Sequence, residues 1–95
     1  MKAMIVTTES GSVYDIDENG VCLKKDSTGR VIDAFKPFHM APVADDVKTL
    51  ADIYGLPQGD PVVGQRFYIS GLSCWWLSTP VVSVSYENKE KNGKR

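Results

Sequence analysis

The chain has 95 residues, 42% of them hydrophobic and 24% charged, with a formal net charge of −1. That is the size and balance of one small globular domain, burying ~65% of its unfolded surface. The even charge argues against a dedicated duplex nucleic-acid binder, which needs a basic face to neutralise phosphates, and no apolar run approaches the ~18 residues of a membrane span. The opening MKAMIVTTESG has Lys2 and a few apolar residues, but its apolar run stops at Val6, too short for a secretion-signal core. A cytoplasmic location is expected. Two cysteines, Cys22 and Cys74, allow one disulfide, although buried or half-buried thiols are the expectation in a reducing compartment. With His39 the single histidine and no cysteine partner at ligand spacing, neither a metal nor another cofactor is expected.

Residues 1–25 read as a three-stranded meander. AMIVTT alternates Met4, Val6 and Thr8 against Ala3, Ile5 and Thr7. After a turn at ESG comes SVYDID, then ENG, where Asn19-Gly20 signals a two-residue hairpin because both residues tolerate positive φ. VCLKK is the third strand, with Val21 and Leu23 expected inward and Cys22 on the opposite side. DSTG turns again, and RVIDAF continues as a shorter fourth strand. No internal repeat is read.

KPFHMAP, with two prolines in seven residues, is expected to break the sheet. A helix is predicted near 43–54, where Val43, Val47, Leu50 and Tyr54 fall on one face. Asp45 and Asp46 would lie in its first turn, where the helix dipole favours negative charge, and Gly55 would cap its end. So short a helix must dock on the sheet to be stable. LPQGDPVVGQ is a connector. The final ENKEKNGKR, residues 87–95, has no apolar residue and is expected to be a flexible charged tail.

Between them, Arg66 to Tyr86 holds both tryptophans and is mostly β-branched or aromatic. Phe67 and Ile69 would point one way, and Arg66, Tyr68 and Ser70 the other. Cys74 to Ser78 returns as the second arm of a hairpin. Val81 to Tyr86 forms a last strand, with Val82, Val84 and Tyr86 on one face, expected to pair with an N-terminal strand. The whole predicts an α+β domain over residues 1–86: a small, strongly bent antiparallel β-sheet or partly open β-barrel with one docked helix.

Trp75 and Trp76, being adjacent, face opposite sides of a strand. Leu77 shares the Trp75 side, so Trp75 is expected in the core and Trp76 at the surface, where a tryptophan makes a good interface anchor. Tyr68, Tyr86 and Trp76 would make an aromatic strip, which as a single-strand nucleic-acid platform lacks its basic groove. Core or helix-contact aromatics are the plainer reading. His39 is read as a loop histidine without a special role. TTESGS and SGLS match neither a phosphate loop nor a nucleophile elbow. Asp15, Asp17, Glu18 and Asp26 lack the spacing of a calcium loop and read as solvated carboxylates. Together with Asp33 and with Asp45, Asp46 and Asp52 on the helix, they would, if presented together, imitate a phosphate backbone or meet a basic groove on another protein, although Lys24, Lys25 and Arg30 lie among them and ordinary solubilising charge is the plainer reading.

MIVTTESGSVYDID and STPVVSV resemble the ends of short bacteriophage and prophage accessory proteins of unassigned function, in which a TT.SGS.Y hairpin meets a T.PV.S strand. The resemblance covers about a quarter of the chain. It carries over Thr7, Thr8, Ser10, Gly11, Ser12, Thr79, Pro80 and Val81 as turn and strand formers, and no catalytic residue. It implies a phage-encoded protein in a bacterial cytoplasm, with small inhibitors of host defence, such as anti-CRISPR proteins acting on a nuclease, as one common class. The expected function is a non-catalytic binding protein, not an enzyme, contacting a host protein through Trp76, Tyr68, Tyr86, Asp45, Asp46 and Asp52. The alternative is an oligomer, at its simplest a homodimer, that sequesters a small molecule or nucleotide with Arg30, Arg66 and the TTESGS turn amides.

Overall fold

In the computed structural model, residues 2–86 are described; the expected tail at 87–95 lies outside them. The elements in order are β1 (Met4–Thr8), β2 (Val13–Ile16), β3 (Cys22–Lys25), β4 (Val31–Phe35), β5 (His39–Val43), α1 (Leu50–Tyr54), β6 (Arg66–Ser70), β7 (Trp75–Leu77) and β8 (Val81–Tyr86). They form two antiparallel sheets, β4-β3-β2-β1-β8 and β5-β6-β7. The expected β-rich fold with one helix is present. It takes the form of two sheets that do not close into a barrel.

The first sheet is shaped by one turn used three times. In Thr8–Ser12, Asp17–Val21 and Asp26–Arg30 the first residue's N–H donates to the fifth residue's carbonyl, and the fourth residue, always glycine, donates back to the first carbonyl. The glycines, Gly11, Gly20 and Gly29, have φ of 93°, 86° and 90°. They supply the left-handed residue of a three-residue hairpin loop. Asp17 and Asp26 brace their loops from inside: Asp17 Oδ1 accepts the Asn19 and Val21 N–H groups, and Asp26 Oδ1 those of Thr28 and Arg30. The glycines are nine residues apart, so the meander does contain a short repeat. Asn19 does not take positive φ; among the described residues only glycines do.

The inner face of this sheet carries Met4, Val6, Tyr14, Ile16, Cys22 and Val81, which pack on Met40, Phe67 and Ile69 of the second sheet. Cys22 is therefore inward and fully buried, and Val21 is exposed, the reverse of the expected phase. The cause is that the third strand starts at Cys22 opposite Ile16, the turn having taken Val21. β8 pairs with an N-terminal strand as expected, and that strand is β1. Its register shifts so that Thr7 faces Ser83 and Thr8 faces Val81. The extra residue, Val82, is a bulge that turns Val81 and Val84 to the same core while Val82 is exposed.

His39–Val43 is a strand, where a break was expected. It lies at the sheet edge, and Met40 bonds away from β6, to Gln58 Oε1 and the Gly59 N–H. Pro42, two residues on, has the same orientation, so its missing N–H costs no ladder bond. The strand takes Val43 from the predicted helix. Asp45 and Asp46 fall in a turn before it, and only Leu50–Tyr54 is helical. Thr49 is the N-cap, its hydroxyl oxygen accepting the Asp52 N–H at 3.1 Å, and Gly55 closes the end as expected. Ile53, absent from the predicted apolar face, is the buried helix residue, while Leu50 and Tyr54 are exposed.

Gly11 and Gly29 share a backbone conformation but not surroundings. A Cβ on Gly11 would lie 2.8 Å from Ser27 Cβ, whereas one on Gly29 would meet nothing within 4 Å. Gly29→Ala should cost about 1–2 kcal/mol from the left-handed strain alone. Gly11→Ala should cost clearly more, since the neighbouring turn must also move. Urea denaturation of the two variants checks the order.

Candidate functional site

The second sheet is the middle layer of the molecule. Its inner face gives Phe67, Ile69 and Met40 to the main core. Its other face is laid out in rows by the strand register: Val43 beside Arg66, then Ala41, Tyr68 and Leu77, then His39, Ser70 and Trp75. The segment around α1 packs Ile53, Val47 and Leu56 on Val43, Tyr68 and Leu77. Five helical residues span only ~7.5 Å, and the row of His39, Ser70 and Trp75 is left uncovered.

A cleft of about 630 Å³ opens there, lined by Phe38, His39, Tyr54, Tyr68 and the hairpin from Ser70 to Trp75. Tyr68 is its buried floor. Around that ring stand Tyr54, His39 and Trp75, with centroids at 5.9, 6.1 and 6.2 Å and planes inclined at 61°, 57° and 41°. The rim is exposed and apolar: Leu72 is 98% accessible, Phe38 67%, Tyr54 53% and Trp75 48%. The hairpin tip is held by the Gly71 N–H bond to the Cys74 carbonyl at 2.8 Å. Gly71 fits closely there: a Cβ would come 2.9 Å from Phe35 Cδ2, so the Phe35 ring would have to shift. No lysine, arginine, aspartate or glutamate lines the cleft.

The structure exchanges the roles expected of the two indoles. Trp75 and Leu77 do share a face, but the helix covers only Leu77's end of it, so Trp75 is exposed. Trp76 faces the first sheet and packs against its core, and its Nε1 is buried without a partner among the described residues. Lys24, only 7% exposed, lies with Nζ 4.7 Å from the Trp76 ring and 5.0 Å from that of Tyr14. Both rings present their negative faces to the ammonium. Among the described residues Lys24 has no carboxylate partner, and its burial lowers its pKa.

The predicted partner-binding residues are not brought together. Tyr68 and Trp76 project from opposite faces of the second sheet, and Tyr86 is on the first, its ring 5.6 Å from Lys2 Nζ and its hydroxyl 3.5 Å from Asp60 Oδ2. The aromatic strip does not exist, and Tyr68 is a floor, not an exposed anchor. Asp45, Asp46 and Asp52 are exposed, and among the described residues their carboxylates have no hydrogen bond or ion pair. The other acids are dispersed: Asp15 pairs with Lys25 at 3.2 Å, and Asp17 and Asp26 brace turns. The TTESGS amides of Thr8, Glu9, Ser10 and Gly11 are all donated internally, two of them to Thr79 Oγ1 and the Pro80 carbonyl. Arg30 is in an exposed turn and Arg66 on the second sheet. His39 is a strand residue lining the cleft, where a plain loop position was expected. Phe38, Tyr54 and Leu72 were missed; their signal would have been apolar side chains beside a face with too little helix to cover it.

Both cysteines are free thiols. Burial, and then the Asp15 carboxylate, pushes the Cys22 thiol up to about 12, which keeps it an inert core group. Burial also raises the Tyr14 phenol.

Trp76→Ala should cost about 3 kcal/mol or more, for the lost packing and the exposed Lys24 charge. Trp75→Ala should cost about 1 kcal/mol or less. Denaturant melts of the two variants test this order. The raised Cys22 pKa sets an alkaline prediction. Above its ordinary value of 9.0 the unfolded chain loses the thiol proton while the folded chain keeps it. Stability is thus lost as pH rises from 9 towards 12. The Cys22→Val variant should lack that component, its unfolding free energy falling less steeply than wild type by about 1.4 kcal/mol per pH unit. Comparison with family models, with curated proteins and with solved structures returns no match, so the cleft's function has to be read from its own geometry.

Proposed function

We propose that the protein is a non-catalytic binding protein acting through protein–protein contact, with the cleft above Tyr68 as its interface. The observation that carries this reading is the gathering of Phe38, Tyr54, Leu72 and Trp75, all widely exposed, around one concavity. Aromatic side chains give large rigid contact area at small entropic cost, and they anchor interfaces when seated beside a pocket. Tyr54 and Trp75 stand on a helix and a strand, and the Gly71 turn sets the position of Leu72. The contact surface is therefore largely preorganised, which lowers the cost of association. Occlusion of a partner's working surface is the mechanism this supports. In the phage setting that the two chain ends resemble, the partner would be a host enzyme. A nucleotide is less well served, since the lining has no lysine or arginine to meet a phosphate.

Affinity capture from a bacterial lysate, with the bound protein then titrated against variants, tests the reading. Trp75→Ser should weaken binding about 30-fold (~2 kcal/mol), while Val31→Ser, exposed on the first sheet, should leave it unchanged. Retention of the partner by Trp75→Ser and Phe38→Ser together, with loss in Val31→Ser, would move the interface to the first sheet and overturn the proposal.

A further inference from the structure

Resting on the reading of the cleft as a protein interface, we infer that its occupant is an arginine side chain of the partner, its guanidinium held between Trp75 and Tyr54 above Tyr68. Two observations and one property of the side-chain cations converge on that chemistry. The walls are aromatic, and ring faces attract cations. No lysine or arginine lines the cleft to repel one, and no carboxylate is present to favour a strongly hydrated ammonium; the one imidazole in the lining, His39, has its Nε2 buried without a partner among the described residues. Guanidinium is the more weakly hydrated of the two side-chain cations, and its plane stacks on rings.

The polar part of the site fits the edge of that plane. Ser70 is only 7% exposed and lines the cleft, and among the described residues its hydroxyl has no hydrogen-bond partner. A hydroxyl left unpaired in the lining of an aromatic cleft can accept from a donor, and guanidinium offers five N–H groups. A purely apolar occupant would bury that oxygen unsatisfied. The local charge points the same way. Asp45, Asp46 and Asp52, in the turn and helix whose end supplies Tyr54, are unpaired among the described residues and steer a basic partner towards this side. The same chain already shows the contact: Lys24 lies over the rings of Tyr14 and Trp76, and among the described residues it makes no ion pair.

Isothermal titration of the whole protein with acetyl-Gly-Arg-Gly-amide, and with the same peptide carrying citrulline, the neutral isostere of arginine, separates charge from shape. The arginine peptide should bind about tenfold more tightly than the citrulline peptide, within the range of a partly desolvated cation–π contact. Trp75→Leu, at a half-exposed site and checked for folding by circular dichroism, should abolish that difference. Equal binding of the two peptides would overturn the cationic occupant, as would an arginine preference that survives in Trp75→Leu, or no arginine binding at millimolar peptide. If in those cases Trp75→Ser still lost the captured partner, the cleft would stand as an interface with a neutral occupant. If it did not, the interface itself would be misplaced.

Discussion

Phe67 and Ile69 enter one core while Tyr68, between them, enters another, so β6 is covered on both sides. A strand in that position needs a layer on each face, and the rest of the architecture answers the need. The five-stranded sheet supplies one layer with the inward residues of β1, β2, β3 and β8. The segment around α1 supplies the other, but it is narrower than the sheet it covers. The cleft is the difference between those two widths. Its aromatic floor is a core residue that the second core was too small to enclose completely.

Much of this was readable from residue types. Strand alternation placed Phe67 and Ile69 opposite Tyr68, and it placed Met4, Val6 and Thr8 on one buried face. That the last strand pairs with an N-terminal one was also readable, because an open meander leaves an edge that needs covering; the structure makes that strand β1. What failed did so where one residue shifts a phase. Val21 was absorbed by a turn, and Val82 bulged, and each moved its neighbours to the other face. The nine-residue spacing of Gly11, Gly20 and Gly29 was visible in the sequence, but Asn19-Gly20 drew attention to a tighter turn.

The site was less legible than the fold for a different reason. Alternation shows that Trp75 and Trp76 face apart, and it says nothing about how far the layer above each extends. The helix expected near 43–54 is longer than the one that forms. Val43 instead completes β5, and Thr49 caps a helix of five residues. Trp76 meanwhile is committed to Lys24, a pairing between residues far apart in sequence that no local pattern announces. Buried cations usually need carboxylates, and two ring faces substitute for one here at the price of a tryptophan that cannot serve the surface.

The turn at Thr8–Ser12 is tied to the last strand: Glu9 donates to the Pro80 carbonyl, Ser10 to Thr79 Oγ1, and Met4 lies opposite Tyr86. The first strand is therefore finished by residues made some seventy to eighty positions later. During synthesis the meander has its local turns early, whereas one edge of β1 waits for the end of the domain to leave the ribosome. Closure of that long loop is the slow, entropically costly step of such a topology. Until it happens, Met4, Val6 and Thr8 face an unfinished core beside an open strand edge, the arrangement that invites pairing with another nascent chain.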